Sequence, residues 1–252
     1  MIEVHELTGP VPPERPAVAS GPSELGPGSS DLHAFLMTYK FGLDEVLTKI
    51  NILREEFTYT HDYNPIEHVK SRIKSPGSIA EKARRRGCSL APAELRRNLL
   101  DIAGVRITCS FVSDVYNLAE VLTRQQDVRI LRTRDYIRQP KPNGYQSLHL
   151  IIEIPVFLSD RVERVPVEVQ IRTAAMDFWA GLEHKLHYKY RGEIPVGLLE
   201  ELREAATVAG NLDEKMEQLR TELLPRPAVA DHHDGAGDTR TSSVFAPGPW
   251  LG

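Results

Sequence analysis

The stretch VPVEVQIR, residues 165–172, alternates apolar and polar side chains over its whole length. One set is Val165, Val167, Val169 and Ile171, and the other includes Glu168, Gln170 and Arg172. Because successive side chains of a β-strand point to opposite faces, this alternation predicts a strand with one buried and one polar face. The fold class follows from this strand and its neighbours.

Val105–Phe111 and Ser147–Phe157 show the same alternation. Their polar positions include Arg106, Thr108, Ser110, Ser147, His149 and Glu153. If the three strands share a sheet, these side chains lie beside Glu168, Gln170 and Arg172. Such a face is either the solvated side of an antiparallel sheet or the lining of a cleft. The combination of Gln, His and Arg with carboxylates favours the cleft.

The loop KPNGYQSLH, residues 141–149, leads into one of these strands. Pro142-Asn143-Gly144 favours a tight turn, because Pro fixes φ while Asn and Gly tolerate positive φ. The loop therefore presents Lys141 and Tyr145 at one end of the sheet. A cation beside an aromatic ring suits a flat, phosphorylated ligand such as a nucleotide. A hairpin turn with a packed Tyr fits these residues equally well.

The remaining periodicity predicts an α+β fold, with a mixed, mainly antiparallel sheet of about five strands and helices covering one face. A further strand is predicted at Val128–Tyr136. Helices are predicted at Pro65–Arg72, Ser78–Arg86, Pro92–Leu99, Ser113–Gln126 and Ala174–Tyr190.

Long helices are predicted near both ends, at Asp31–Thr58 and at 196–223. Each carries apolar residues at alternating spacings of three and four. Such a stripe belongs either to the intramolecular core or to a subunit interface, and the sequence leaves both open. Residues 1–30 and 225–252 have little periodic apolar content and are predicted to be a disordered extension and a disordered tail.

The chain has 252 residues, a net charge of −4 and two cysteines, which are too few for a disulfide framework. The acidic balance argues against general nucleic-acid binding and gives no indication of RNA binding, although it leaves that open. Between Lys70 and Arg86, seven cations stand against the single acid Glu81, which suits a small phosphorylated ligand. Without a membrane-length apolar run or a signal-peptide pattern, the expected location is the cytoplasm.

Two carboxylates, Asp101 and Glu168, fall at one edge of the predicted sheet. Mg²⁺ commonly takes one or two carboxylates and completes its shell with phosphate oxygens and water. The cations that accompany this pair are Arg72, Lys74, Lys82 and Arg106. Together these residues predict a site for a metal–triphosphate.

Six motifs occur in one order along the chain. They are Ser71–Ser75, Glu81-Lys82, Asp101–Arg106, Arg134–Ile137, Lys141–His149 and Glu168–Thr173. In this order they resemble the synthetase domain of the RelA/SpoT homologues. Long members of that family also carry hydrolase and regulatory domains, for which this chain has no room. It is therefore similar to a small stand-alone alarmone synthetase, with a nucleotidyltransferase-like domain expected at residues 31–224.

The resemblance implies transfer of the β,γ-pyrophosphate of ATP to the ribose 3′-hydroxyl of GDP or GTP, which gives ppGpp or pppGpp and AMP. Glu168 is the implied base, and Asp101 and Glu168 are the implied Mg²⁺ ligands. The implied ATP contacts are Arg72 and Arg106 on adenine, Lys74, Lys82 and Arg85 on the phosphates, and Ser78 as the cap of a helix pointing at them. The implied GDP or GTP contacts are Arg134, Lys141, Asn143, Tyr145 stacked on guanine, His149, Gln170 and Asp177.

Three positions depart from the family pattern. Arg134 stands where relatives often have Lys, and Asp177 stands where stand-alone relatives often have Asn. Gln146 follows the long enzymes, so the choice between GDP and GTP stays open. Relatives of this size form tetramers through terminal helices, so a homotetramer is expected.

Two rival functions make different demands on the sequence. A nucleotidyltransferase acting on RNA or a small molecule would usually show Gly-Ser followed by paired Asp residues, and no such pair lies near Asp101. A catalytically weak member that binds RNA or alarmone as a regulator is the alternative. The presence of all the implied catalytic residues argues against it.

Overall fold

The computed structural model describes residues 27–60, 63–190 and 194–223. In chain order the elements are α1 (Pro27–Thr60), β1 (Ile66–Ile73), α2 (Pro76–Arg86), α3 (Pro92–Asn98), β2 (Ala103–Cys109), α4 (Val112–Thr123), β3 (Arg129–Asp135), β4 (Leu148–Phe157), β5 (Val162–Thr173), α5 (Ala174–Lys189) and α6 (Val196–Leu223). The predicted disorder of residues 1–30 and 225–252 lies outside these ranges, except that α1 begins at Pro27, ahead of the predicted Asp31. None of the helices in the described ranges is both long and apolar enough to cross a membrane.

The five strands form one sheet in the order β1-β2-β5-β4-β3. β2 and β5 are parallel, and the other three pairs are antiparallel. The chain reaches β5 from β2 through α4, β3 and β4, which supplies the long crossover that a parallel pair needs. The predicted α+β class with a mixed, mainly antiparallel sheet is confirmed.

The helix predicted at Pro65–Arg72 is wrong, because Ile66–Ile73 is the edge strand β1. Pro65 and the apolar spacing of Ile66, Val69 and Ile73 imitate the start of a helix. Pro is also common next to an edge strand, because its missing N–H group does not remove a hydrogen bond between strands there. Antiparallel pairing with β2 along the whole strand outweighs the local helical signal.

Helices α1 and α4 cover the apolar face of the sheet. Strand residues such as Ile107, Val167, Val169 and Ile171 are fully buried beneath them. The apolar stripe of α1 joins the same core through Phe35, Tyr39, Leu43, Val46, Ile50 and Leu53. Of the two interpretations of this stripe, the intramolecular one is therefore correct.

Helix α6 packs differently. Its first half joins a small cluster made of Tyr145, Trp179, Ala180, Leu202 and Ala206. Its second half is fastened by polar contacts: Asp213 accepts a hydrogen bond from Thr173 Oγ1 at 2.7 Å, and Arg220 pairs with Asp114 at 2.7 Å. The apolar stripe is left exposed at Leu212, Met216 and Leu219.

Helix α1 packs closely against the sheet at Gly42. A Cβ atom there would lie 2.6 Å from Val165 Cγ1 on β5. We expect Gly42→Ala to lower the free energy of unfolding, measured in urea, by about 1–3 kcal/mol, because a packed core resists added volume.

Gly197→Ala is the matched control, since nothing lies within 4 Å of the added methyl group. We expect it to change stability by less than about 1 kcal/mol. Val165→Ala should recover part of the loss when combined with Gly42→Ala. Equal stability of the two Gly→Ala variants would contradict this close packing.

Candidate active site

Polar side chains cross the sheet in register on the face opposite α1 and α4, called here the open face. One row pairs residues of all five strands: Lys70, Arg106, Gln170, His149 and Arg134. The next row is Arg72, Gly104, Glu168, Ile151 and Arg132. The predicted grouping of polar residues on one sheet is therefore confirmed. These side chains line cavities, so the face is a cleft rather than a plain solvated surface.

Glu168 lies at the centre of the open face, on β5. Gln170 Nε2 donates to its Oε2 at 3.0 Å, and His149 Nδ1 lies 3.3 Å from its Oε1. Burial acts against the charged form of Glu168, but the hydrogen bonds from His149 and Gln170 outweigh it and lower its pKa. The carboxylate is therefore ionised and held through both oxygens.

Asp101 lies just before β2 and binds two cations. Lys74 Nζ contacts Oδ2 at 2.8 Å, and Lys82 Nζ contacts the same oxygen. Burial opposes ionisation of Asp101, but the hydrogen bonds and charges of the two lysines lower its pKa to about 2. The structure thus brings together three residues that the sequence assigned to one site.

Helix α2 begins two residues after Lys74 and carries Lys82 in its second half, so it positions one of the two lysines on Asp101. Its cap is Ser75, whose Oγ accepts from the Ser78 backbone N–H at 3.3 Å. The capping role predicted for Ser78 is therefore wrong, since Pro76 already occupies the first turn and moves the cap to the residue before it. Ser78 Oγ accepts a hydrogen bond from Ser75 Oγ at 2.9 Å.

A cavity of about 150 Å³, the β1–β2 cavity, lies between Arg72 and Arg106. Gly104 forms part of its lining and Glu168 lies at one side. The Nε of Arg106 is buried without a hydrogen-bond partner among the described residues. A buried unpaired donor is costly, so this atom is suited to an acceptor on a ligand.

A second cavity of about 140 Å³, the β3–β4 cavity, has cationic walls. The residues that line it and that the sequence assigned to the site are Lys82, Asp101, Arg134, His149 and Glu168. Arg86, Arg97 and Arg132 line it as well. The sequence analysis counted Arg86 among the cations between Lys70 and Arg86 without giving it a specific role, and it missed Arg97 and Arg132 as site residues. Arg132 could have been found, because it alternates with Arg134 along β3. Arg97 belongs to α3, and no local pattern places it here.

The loop before β4 is anchored to α5 and α6. Asn143 donates to Glu183 Oε1 at 3.0 Å and accepts from the Tyr145 backbone N–H at 3.2 Å. Gly144 has φ +90°, and a Cβ atom there would collide with Ala206 of α6. Glycine is therefore required both by the turn and by the packing.

A cation of the protein lies against the Tyr145 ring of this loop and against the nearby Tyr136 ring. Lys141 Nζ lies 4.4 Å from the centroid of the Tyr145 ring and 4.8 Å from that of Tyr136. Tyr145 is 9% exposed and lines a third cavity, of about 530 Å³, together with Arg72, Arg106 and Gln170. The sequence left open a hairpin turn with a packed Tyr and a loop that presents the Tyr to a ligand. The structure has features of both, because Tyr145 is packed and also borders a cavity.

Two residues that the resemblance assigned to nucleotide binding contact other side chains of the protein. Asp177 accepts from Arg106 Nη1 at 3.2 Å and from Arg172 Nη1 at 3.3 Å. Arg85 is exposed beside Glu81, at 3.9 Å, and is not among the residues that line the cavities described above.

The donor set fits Mg²⁺ bound together with phosphates. No group of three or more His, Cys, Asp or Glu side chains that could hold a metal occurs in the described part of the chain. Asp101 and Glu168 provide two ionised carboxylates on the β3–β4 cavity. Both lysines contact Oδ2 of Asp101, so Oδ1 lies outside these ion pairs. Such a set is too small for a cage made of protein alone, but it is of the kind that Mg²⁺ uses with a substrate.

Comparisons with known proteins identify the family of the chain. A family model described as a region found in RelA/SpoT proteins matches residues 71–193. The GTP pyrophosphokinase YwaC of Bacillus subtilis is 54% identical over 188 residues, which cover 75% of this chain and 90% of that protein.

Two solved structures of the small alarmone synthetase 1 from Bacillus subtilis are also similar. The one bound to its product pppGpp has a TM-score of 0.72 at 40% identity and covers 77% of this chain and 98% of that chain. The one bound to AMPCPP has a TM-score of 0.66 at 36% identity, with 77% and 98% covered. The chain belongs to the RelA/SpoT synthetase family and is a GTP pyrophosphokinase of the small alarmone synthetase type.

Proposed function

We propose that ATP and GDP or GTP bind side by side on the open face and that Glu168 lies between them. The observation that carries this proposal is that Glu168 lines both the β1–β2 cavity and the β3–β4 cavity. One cavity holds the predicted adenine contacts, Arg72 and Arg106, and the other holds Arg134 and His149 from the predicted acceptor site. A single carboxylate thus has access to groups from both substrates.

On the ATP side, the two guanidinium groups are suited to stack on a flat base. Lys74 and Lys82 form ion pairs with Asp101 at the β3–β4 cavity, where their charges can also bind the phosphates of ATP. The small alarmone synthetase 1 from Bacillus subtilis has been solved bound to pppGpp and bound to AMPCPP, which supports binding of both a guanosine and an adenosine nucleotide by this fold. Phosphoryl-type transfer relies on positioning and charge neutralisation, which matches a site rich in cations.

On the acceptor side, Arg134, Arg132 and Arg97 supply cations for the phosphates of GDP or GTP. Tyr145 is the proposed platform for guanine. The ammonium group of Lys141 lies near this ring, so stacking requires that it move toward the acceptor phosphates. Asp177 supports the site through Arg106 and Arg172 in this structure, whereas its predicted contact with guanine remains a proposal.

The chemical step transfers a pyrophosphate group. The 3′-oxygen of the acceptor forms a bond to the β-phosphorus of ATP, the bond from that phosphorus to the α–β bridging oxygen breaks, and AMP leaves. Glu168 takes the proton of the 3′-hydroxyl. Because its pKa is lowered, Glu168 is a weak base, and its orientation must supply most of its effect. Asp101 and Glu168 would hold Mg²⁺, which when bound would neutralise phosphate charge.

Purified protein with ATP, GDP or GTP and Mg²⁺ is expected to give AMP and a 3′-pyrophosphorylated guanosine, resolved by anion-exchange chromatography. Glu168→Gln keeps the shape of the side chain but cannot accept the proton, so turnover should fall by about 100-fold or more. Glu120→Gln, the same change at an exposed site of α4, should retain the wild-type rate. Absence of AMP with every guanosine acceptor would refute the proposed reaction.

We also propose that the chain forms a homo-oligomer through α6, with a tetramer as the expected state. The exposed apolar side chains of α5 and α6 that carry this proposal are Phe178, Val208, Leu212, Met216 and Leu219. Phe178, Val208 and Leu212 border a cavity of about 540 Å³ between the two helices, and Met216 and Leu219 lie further along α6. A contiguous exposed apolar surface of this kind is typical of a protein interface. Because the α1 stripe is buried in the core, α6 is the terminal helix left for this contact.

Light scattering after size-exclusion chromatography is expected to give a multiple of the 28.3 kDa chain mass. Leu212→Lys places a charge in the proposed interface and should shift the protein to monomer, because burying an unpaired charge is costly. Glu120→Lys on α4 is the charge control and should leave the mass unchanged. A monomeric wild-type protein would rule out the α6 interface.

A further inference from the structure

Arg172 is a buried cation that the proposed reaction does not use directly. Its side chain is 3% exposed, near the end of β5. Nη2 donates to the Tyr145 hydroxyl at 2.6 Å and to Gln170 Oε1 at 2.9 Å. The same guanidinium donates to Asp177 and Ser147, at 3.3 Å and 3.4 Å.

Two chains of hydrogen bonds begin at Nη2 of Arg172 and end on Glu168. In the first, the Tyr145 hydroxyl lies 2.7 Å from His149 Nε2, and His149 Nδ1 lies 3.3 Å from Glu168 Oε1. In the second, Gln170 Nε2 donates to Glu168 Oε2 at 3.0 Å. The two chains close a ring of five side chains that includes the proposed base.

When the His149 ring is neutral, the ends of each chain fix the direction of every bond within it. A guanidinium can only donate, and an ionised carboxylate can only accept. Tyr145 accepts from Arg172, so its own proton is directed at His149 Nε2. Burial raises the pKa of Tyr145, which keeps this proton on the hydroxyl at neutral pH.

It follows that Nε2 of His149 is an acceptor and that the ring proton lies on Nδ1, toward Glu168. In the second chain, the amide oxygen of Gln170 faces Arg172 and the amide nitrogen faces Glu168. Both neighbours of Glu168 are therefore set as donors, one on each carboxylate oxygen.

We propose that Arg172 is a positioning residue that fixes the His149 tautomer and the Gln170 amide, so that together they orient Glu168 for the acceptor hydroxyl. Asp177 balances the buried charge of Arg172 and links the ring to Arg106 at the β1–β2 cavity. This inference rests on the proposed role of Glu168 as the base. If Arg172 only filled space, a side chain of similar length without donors would replace it.

The first test reads the tautomer in the substrate-free protein by ¹⁵N–¹H correlation spectra of labelled histidine. The chain has nine histidines, so the His149 signals are assigned by their loss in His149→Gln. At neutral pH we expect a pyrrole-like Nδ1 and a pyridine-like Nε2. A pyrrole-like Nε2 in the wild-type protein would overturn the proposal.

The second test removes the donors of Arg172. In Arg172→Met, Nε2 of His149 should gain proton character, and kcat should fall by about 10- to 100-fold because the base is no longer held in position. Arg172→Lys keeps a cation that only donates and should recover the wild-type tautomer and most of kcat. A folded Arg172→Met protein with unchanged His149 signals would refute the proposed role.

Tyr145→Phe keeps the proposal testable if Arg172→Met does not fold. It retains the ring and removes only the hydroxyl bridge, so the Nε2 signal of His149 should move toward that of a free pyridine-like nitrogen. An unmoved signal would contradict the ring of hydrogen bonds. Because the spectra need no substrate, a failure here is distinct from a failure to make alarmone.

Discussion

The parallel register between β2 and β5 is the constraint on which the site depends. It sets Glu168 opposite Gly104 and Gln170 opposite Arg106. A slip of one residue would turn Glu168, Gln170 and Arg172 into the core formed with α1 and α4. Since unpaired charges in such a core cost several kcal/mol each, the alternation of β5 determines the composition of the open face as well as the fold.

Four cations of the site are paired with carboxylates before any nucleotide binds. Asp101 holds Lys74 and Lys82, and Asp177 holds Arg106 and Arg172. Phosphates that approach these four cations must compete with carboxylates for them. Arg72, Arg132 and Arg134, by contrast, form no ion pair within the described part of the chain and lie on the cavities.

Strict alternation made the sheet largely predictable from the sequence. The predicted strands Val105–Phe111, Ser147–Phe157 and Val165–Arg172 overlap β2, β4 and β5, because most of their positions alternate between apolar and polar side chains. β1 was predicted as a helix because Pro65 and the helix-like spacing of its apolar residues are local signals, whereas its strand conformation depends on pairing with β2. The exposed half of α6 was equally ambiguous, since an apolar stripe does not say what covers it.

The site was predicted less evenly than the fold. Motif order brought Asp101, Glu168, Arg72, Arg106, Lys74 and Lys82 to one face, as the structure places them. Partners that depend on tertiary packing were out of reach. Examples are Arg97 of α3 in the β3–β4 cavity and the pairing of Asp177 with two arginines. The local sequence around a charged residue does not indicate which side chain, distant along the chain, neutralises its charge.

The central claim is that both substrates meet at Glu168 on the open face. A crystal structure with a non-hydrolysable ATP analogue and GDP tests it most directly. We predict the adenine between Arg72 and Arg106 and the ribose 3′-oxygen of GDP within hydrogen-bond distance of the Glu168 carboxylate. Nucleotides bound away from this face, or a 3′-oxygen out of reach of Glu168, would contradict the account.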